Sequence, residues 1–552
     1  VPDNQNAAKT ELDSSAKELQ SKLLGPIGAD RTQIVEAGTS TPIQLMRTLA
    51  LPAPSNDQGG AGEAATAVYT PLPLLFSDQD PDTNEGVRLM NALAALLVNM
   101  PEGQVPATYA DLFLKINEVT AQVDEEVKAC LDAILHDDEF KTLEANWTTL
   151  NELASNVTSD DVIIDFLDLT KDELRTDLDD NQLDIFGSGL FTKIYVEEYD
   201  RYGGRPFATM IGLYDFQSST DDIDFLRRMS KICAAAHCPF IASVDATFFR
   251  QKSMQDLAAI TDLDAVMTHP TMGKWNDFRN DDFAAYIGLT LPRYVARLPW
   301  DGADENQADR NKRFNKIGYV ETVHPGQPGD ANNFLWGSSA ILFAKNIVRA
   351  YENSGWAQHI RGPRGGGLVE GLTAYTWKTP DGKDALQPPV EIAIPDYREY
   401  QFARNGLIPL VQKKGEATAT FFSAQSVKRP KEYIEDLNTQ NAHLVTNLAY
   451  TFSVALIAHY VKATMREYIG STADEIYIQQ TLSSWLGSFV TTVVNPDDLT
   501  LLYYPFKATK VEVSKKPGAF GWYTATISVL PHAQFEGMDV EMRLEAALGG
   551  KS

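Results

Sequence analysis

"ATMIGLYDFQSSTDDIDFLRRMSKICAAAHCPFIASV" (Ala208–Val244) decides how this chain folds. Ala208–Leu213 is a short, largely apolar run, the pattern of a strand buried on both faces. Thr220 and the acids after it mark a helix start, where carboxylates complement the helix dipole. Ile223–Ala236 then carries apolar residues at helical spacing, and Phe240–Val244 is a second buried strand. Strand, helix and strand in this order form a crossover, the unit of a mainly parallel sheet.

The same reading extends outward on both sides. Toward the C-terminus, Leu291–Leu298 and Val390–Ile394 are strand candidates and Ala340–Tyr351 is an amphipathic helix. Thr373–Trp377 is a strand with a turn at Pro380–Gly382. Toward the N-terminus, Thr108–Leu153 has a helical pattern, Val162–Leu167 is a strand candidate and Lys171–Leu178 is a short charged helix. Lys9–Leu24 and Asn84–Met100 read as helices, separated by a linker at Pro52–Thr66. Asn438–Ile469 reads as one long, largely apolar helix closed by Gly470, and belongs in a core or at a packed interface.

Beyond it the period changes to two. Val511 and Val513, then Tyr523, Ala525, Ile527 and Val529, then Val540, Met542 and Leu544 each alternate with more polar neighbours. These are antiparallel strands with one dry and one wet face. They end close to the last residue, so at least one is an edge able to accept a strand from another chain. The chain therefore divides into residues 1–104 (extension and linker), 105–200 (helical), 201–400 (central α/β) and 401–552 (long helix and antiparallel strands). The expected class is mixed α/β.

Composition bounds the function. The 552 residues suffice for two to four domains, and 43% hydrophobic with 10% aromatic residues can fill large cores. A formal net charge of −27 disfavours nucleic acid and anionic membrane as partners. Three cysteines, Cys130, Cys233 and Cys238, argue against a disulfide framework and suit a reducing cytoplasm. The strongly apolar stretch near Leu89–Met100 is too short to span a bilayer.

Chemical motifs are few. "RGPRGGGLVEGL" (Arg361–Leu372) invites a phosphate-loop reading through Arg361, Arg364, Gly365, Gly366, Gly367 and Gly371. No Lys-Ser or Lys-Thr follows its glycines, and the dinucleotide spacing that starts at Gly365 meets Glu370 where glycine is needed. The loop also runs from helix to strand, whereas phosphate loops run from strand to helix N-terminus. Its glycines read as a structural loop that supplies positive φ and close backbone approach. Cys233, His237 and Cys238 lie close together, but no second cluster completes a tetrahedral metal site. Neither a metal nor a cofactor is expected. Lys462 and Arg466 stand one turn apart beyond the apolar part of the long helix, either as a solvated end or as a small basic patch.

Several segments together resemble one family. They are "HDDEFKTLEANWTTL" (His136–Leu150), "YGGRPFATMIGLYDF" (Tyr202–Phe216), "AAAHCPFIAS" (Ala234–Ser243), "LTLPRYVARLPW" (Leu289–Trp300), "FLWGSSAILFA" (Phe334–Ala344), "GWAQHIRGPRGGGLVEGL" (Gly355–Leu372), "GLIPL" (Gly406–Leu410) and "AHYVKATMREYIGS" (Ala458–Ser471). In this order they are similar to the large subunit of the type VI secretion contractile sheath, the TssC/VipB family. Leu213 and Arg205 stand where acids are common in that family.

The resemblance implies a contractile-sheath fold: an N-terminal helical region, a central α/β domain and a C-terminal β-rich region. It implies a bacterial, cytoplasmic structural protein without catalysis of its own. The implied partners are a small sheath subunit (TssB/VipA-like), neighbouring heterodimers, an inner tube of Hcp-like rings, a baseplate and, indirectly, a recycling AAA+ unfoldase. It implies that a helix faces the tube, placed at Ala458–Gly470 with Lys462 and Arg466 as polar contacts, and that the C-terminal strands join subunits. Two other readings stay open here: a nucleotide-binding α/β enzyme using Arg361–Gly371, and the sheath of a phage-like injection device.

Overall fold

The computed structural model describes residues 109–532 except 303–314, 316–317, 328, 470, 492, 494–495 and 516–522. The chain divides into two compact units, residues 1–130 and 131–552. In the first, the described residues belong to helix α1 (Tyr109–Leu135), which leaves Phe113 and Leu114 exposed. The readings at Lys9–Leu24, Pro52–Thr66, Asn84–Met100, Gly470 and Met538–Leu544 lie outside the described residues.

Helix α2 (Asp138–Ser155) belongs to the second unit. The helical pattern read as continuous from Thr108 to Leu153 is broken before it. Asp137 has extended backbone, and its carboxylate accepts from the amides of Glu139 at 3.1 Å and Phe140 at 3.2 Å. This is an N-cap that starts a new helix. The strand expected at Val162–Leu167 is corrected as well. Residues 162–170 run without helix, turn or bend and pair in no ladder. Helix α3 (Lys171–Asp180) follows, with a capping box between Thr170 and Glu173. A π-helical stretch (Thr192–Tyr199) leads to the sheet.

Strand β1 (Met210–Phe216), helix α4 (Thr220–Ala236) and strand β2 (Phe240–Val244) form the crossover read from the sequence. Next come β3 (Ile287–Leu291), β4 (Tyr294–Val295), β5 (Trp336–Gly337), α5 (Ser339–Ser354), β6 (Leu368–Val369), β7 (Tyr375–Lys378) and β8 (Asp384–Gln387). After them stand α6 (Asp396–Arg404), β9 (Ile408–Gln412), β10 (Ala419–Phe421), α7 (Asp436–Thr446), α8 (Leu448–Glu467), α9 (Glu475–Gly487), β11 (Phe506–Lys515) and β12 (Tyr523–Pro531). The strand expected at Leu291–Leu298 is thus two short ones around Pro292. Of Val390–Ile394, only Val390 makes a bridge, to Tyr294.

The main sheet has the order β1-β2-β3-β9-β10-β6. Its first four strands are parallel and the last two pairings antiparallel. Both faces are covered. Phe240, Ala242 and Val244 point into one core, with α4, while Ile241 points into the other, with α5 and the start of α8. This period-two split explains why β2 reads as continuously apolar. At Gly288 of β3 a Cβ would lie 2.7 Å from Leu448 Cδ1, so glycine lets α8 approach the sheet.

The long helix expected over Asn438–Ile469 is two helices. Asn447 leaves the helical region (φ −90°, ψ 124°), and its side chain accepts from the amide of Ala449 at 3.0 Å. It caps α8. The far half of α8 enters a third core with α9 and the β11–β12 hairpin, centred on Trp356, Ile457, Leu482 and Phe506.

Candidate assembly surfaces

The glycine loop runs from α5 into β6. Gly362 donates to the Phe421 carbonyl at 2.7 Å, Phe421 donates to the Gly367 carbonyl at 3.0 Å, and Gly367 donates to the Gly362 carbonyl at 2.8 Å. Arg349 of α5 donates to the carbonyls of Gly366 at 2.6 Å and Leu368 at 2.8 Å. Gly366 has φ +86°, and a Cβ there would lie 1.9 Å from the His359 carbonyl oxygen. Gly371 turns the chain at φ +70°. Arg361 is buried and Arg364 exposed. The loop is stitched onto β10 by its own backbone and opens no helix N-terminus toward an anion.

Cys233 and Cys238 are fully buried, and burial pushes both thiols up, away from reactive thiolate. His237 caps α4 in the left-handed region (φ 49°), with the Cys238 amide donating back to the Cys233 carbonyl at 2.9 Å. Its Nδ1 lies 3.1 Å from the Tyr286 hydroxyl. The trio therefore shapes a helix end.

Lys462 and Arg466 both meet Asp200, at 2.7 and 3.1 Å. Lys462 also sits 3.8 Å from the centre of the Tyr199 ring, and Arg466 donates to the carbonyls of Tyr199 and Arg201, each at 2.9 Å. The Lys462 hydrogen bond holds the Asp200 carboxyl below the usual carboxylate range. Burial pushes the Tyr199 hydroxyl up to about 12. The two cations clamp the end of the π-helical stretch. Sequence reading missed Asp200, because its partners lie far along the chain.

The C-terminal hairpin is a two-stranded antiparallel sheet with Val511 opposite Ile527 and Val513 opposite Ala525. Val511 is buried, and Val513, Tyr523, Ile527 and Val529 pack half-buried onto the third core. Ala525 shares their side of the strand but is exposed. Each strand has one ladder neighbour, and apart from the bridge from Phe506 to Val490 their outer edges are open among the described residues. Val540, Met542 and Leu544 lie outside them.

Helix α2 packs on the domain through Ala145 and Leu153, with Glu144 and Glu152 beside that seam. Glu144 accepts from Arg297 at 3.0 Å, and Arg297 also binds Glu321 at 2.6 Å, both members of that second pair being almost fully buried. Glu152 meets Lys345 and the Tyr294 hydroxyl. Between these contacts Ala145, Thr149 and Leu153 are buried. The opposite side shows Phe140, Leu143 and Trp147 at 36, 56 and 63% exposure. The three form an exposed apolar stripe at helical spacing that points away from the buried seam.

Residues 117–428 match the VipB family, described as the EvpB/VC_A0108 tail sheath N-terminal domain. Residues 437–548 match its companion VipB_2, the EvpB/VC_A0108 tail sheath gpW/gp25-like domain. The chain belongs to the VipB tail sheath family. The type VI secretion system sheath protein TssC1 of Pseudomonas aeruginosa is 33% identical over 478 residues, 86% of this chain and 94% of that protein. Two solved structures are remote likenesses at 9% identity. The anti-feeding prophage baseplate has a TM-score of 0.31 and covers 59% of this chain and 66% of that one. The contracted anti-feeding prophage helical sheath has 0.28 and covers 58 and 66%.

As a VipB-type sheath subunit the chain is a structural component of a contractile type VI apparatus. The boundary between its two family domains falls just before α7. α8 joins them: its first turns fill the sheet core, and its last turns clamp Asp200. Among the described residues no helix is long and apolar enough to cross a membrane, and no group of three His, Cys, Asp or Glu could hold a metal.

Proposed function

We propose that this sheath subunit is the large one of a pair. It binds a small sheath subunit (TssB/VipA-like), and the heterodimers stack as helical strands around an inner tube of Hcp-like rings above a baseplate. The observation that carries the reading is α2, with ion pairs turned inward and Phe140, Leu143 and Trp147 turned outward. The open hairpin edges supply a second, backbone-based joint. Heterologous contacts that do not close into a ring generate a helix, the geometry of a sheath. Strand joints hold while side contacts repack, so such a lattice can contract without falling apart.

The work lies in relaxation of an extended lattice, with no catalytic step in this chain, and an AAA+ unfoldase acts on the contracted product. The place of action is the bacterial cytoplasm. A tube contact at the end of α8 belongs to the same proposal. It would use the faces of Lys462 and Arg466 that Asp200 leaves at 26 and 20% exposure.

The test is electron microscopy of the chain alone and co-expressed with the small subunit. Long, cogwheel-sectioned tubes only on co-expression are expected. Dispersed particles in both samples, with no co-purification, would overturn the pairing.

A further inference from the structure

Residues 162–168, Val-Ile-Ile-Asp-Phe-Leu-Asp, have the composition of a strand and none of its pairing. The backbone N–H groups from Ile163 to Leu169 find no acceptor among the described residues. Such a row of unpaired amides on β-branched and aromatic residues is the usual template for strand addition. Ile163, Phe166 and Leu167 are exposed at 59, 59 and 49%.

The segment is nevertheless held in place. At its start Glu352 accepts from the amides of Thr158 at 2.7 Å and Ser159 at 2.9 Å. At its end the Tyr214 hydroxyl donates to the Leu169 carbonyl at 2.5 Å, and Thr170 enters the capping box of α3. Midway, Ile164 packs onto the cluster of Leu153, Ile341 and Ala344, which Ile211 and Leu213 of β1, the strand at the edge of the main sheet, also join. Pinning at both ends removes most of the ordering entropy that a free segment would lose on pairing.

The charge on the segment is one-sided. Asp160, Asp165 and Asp168 find no cationic partner among the described residues, in a chain of formal net charge −27. A second copy of so acidic a chain would bring mostly more acid. A different polypeptide with lysine or arginine between apolar side chains would meet both the carboxylates and the exposed Ile163, Phe166 and Leu167.

We propose that residues 162–168 are a docking strand that pairs, backbone to backbone, with an extended basic-and-apolar segment of the small subunit. This rests on the pairing proposed above. It adds a joint on the sheet domain, separate from the C-terminal hairpin.

The experiment is hydrogen–deuterium exchange on intact tubes of the co-expressed pair, with a synthetic peptide of residues 158–170 in the same buffer as reference. The amides of 163–169 are expected to exchange about 100-fold more slowly in tubes than in the peptide. Exchange at the peptide's rate in intact tubes would sink the docking strand while leaving the sheath reading untouched. Failure of the wild-type pair to form tubes overturns both.

A photo-crosslinking residue at Phe166 identifies the occupant. A link to a basic-and-apolar stretch of the small subunit supports the proposal. A link to a second copy, or to the chain's own residues, overturns the assignment. The variant Asp165→Lys/Asp168→Lys should yield about tenfold fewer tubes while the chain's thermal midpoint stays unchanged, since both carboxylates are exposed and unpaired. A wild-type yield of tubes would also overturn it.

Discussion

His459 of α8 donates its Nε2 proton to the main-chain carbonyl of Ala236, at the end of α4, across 2.9 Å. The carbonyl can only accept, so the tautomer is fixed. The bond ties one family domain to the other. His237 lies beside it with ring centres 6.4 Å apart, and Tyr199, Tyr286, Asp200, Arg466 and Lys462 are the titratable groups around the pair.

Burial, with Lys462 adding to it, lowers the pKa of both histidines, so the folded chain keeps them neutral. Their unfolded pKa is about 6.5. A depressed histidine pKa means that the unfolded chain binds more protons, so stability is full above that value and declines as pH falls below it. The thermal midpoint should therefore drop between about pH 7 and pH 5. His459→Gln keeps a donor for the Ala236 carbonyl and should flatten this acid limb. An unchanged slope in the variant would show that the limb arises elsewhere.

Arg297 binds Glu144 and Glu321 together, with Glu321 almost fully buried. Removing the cation strands a carboxylate in a dry site. Arg297→Ala should cost roughly 3–5 kcal/mol in denaturant unfolding. Arg297→Met with Glu321→Leu should recover part of that, because no unpaired buried charge remains at that position. If the single variant is as stable as wild type, the network does not hold α2.

The glycine loop makes a paired prediction. Gly366→Ala forces a Cβ into the His359 carbonyl at φ +86° and should destabilise by more than about 2 kcal/mol. Arg364→Ala, at an exposed position, should change stability by less than about 0.5 kcal/mol. Titration of the wild-type chain with ATP or NAD should give no saturable heat. Saturable binding abolished by Arg364→Ala would reinstate the nucleotide reading.

The crossover from β1 to β2 was legible because its signals are local: acids at a helix start, and two apolar runs of strand length. The break at Asn447 was masked because apolar residues continue on both sides of it. A capping asparagine between two helices reads like a polar residue within one. At 162–168 propensity gave a strand, but a ladder needs a neighbour, and propensity says nothing about neighbours. The inward polarity of α2 was invisible for a related reason. Glu144 finds its cation at Arg297, in a distant part of the chain. The two surfaces proposed for partner contact, on α2 and at 162–168, were therefore less readable from one sequence than the C-terminal strands.

The stripe on α2 separates stability from assembly. Phe140, Leu143 and Trp147 face away from the core, whereas Thr149 and Leu153 face into it. Trp147→Ser and Leu143→Ser should each leave chemical unfolding within about 0.5 kcal/mol of wild type. The same variants should lose most of the co-purifying small subunit, since large aromatic and aliphatic anchors dominate such contacts. Leu153→Ala should do the reverse, costing roughly 2–5 kcal/mol of stability through its cavity while still recruiting the partner at low temperature. Pull-down yield and unfolding free energy, measured on the same three variants, should thus vary independently. Full partner recovery by Trp147→Ser would remove α2 as the contact and leave the strand joints to carry the pairing.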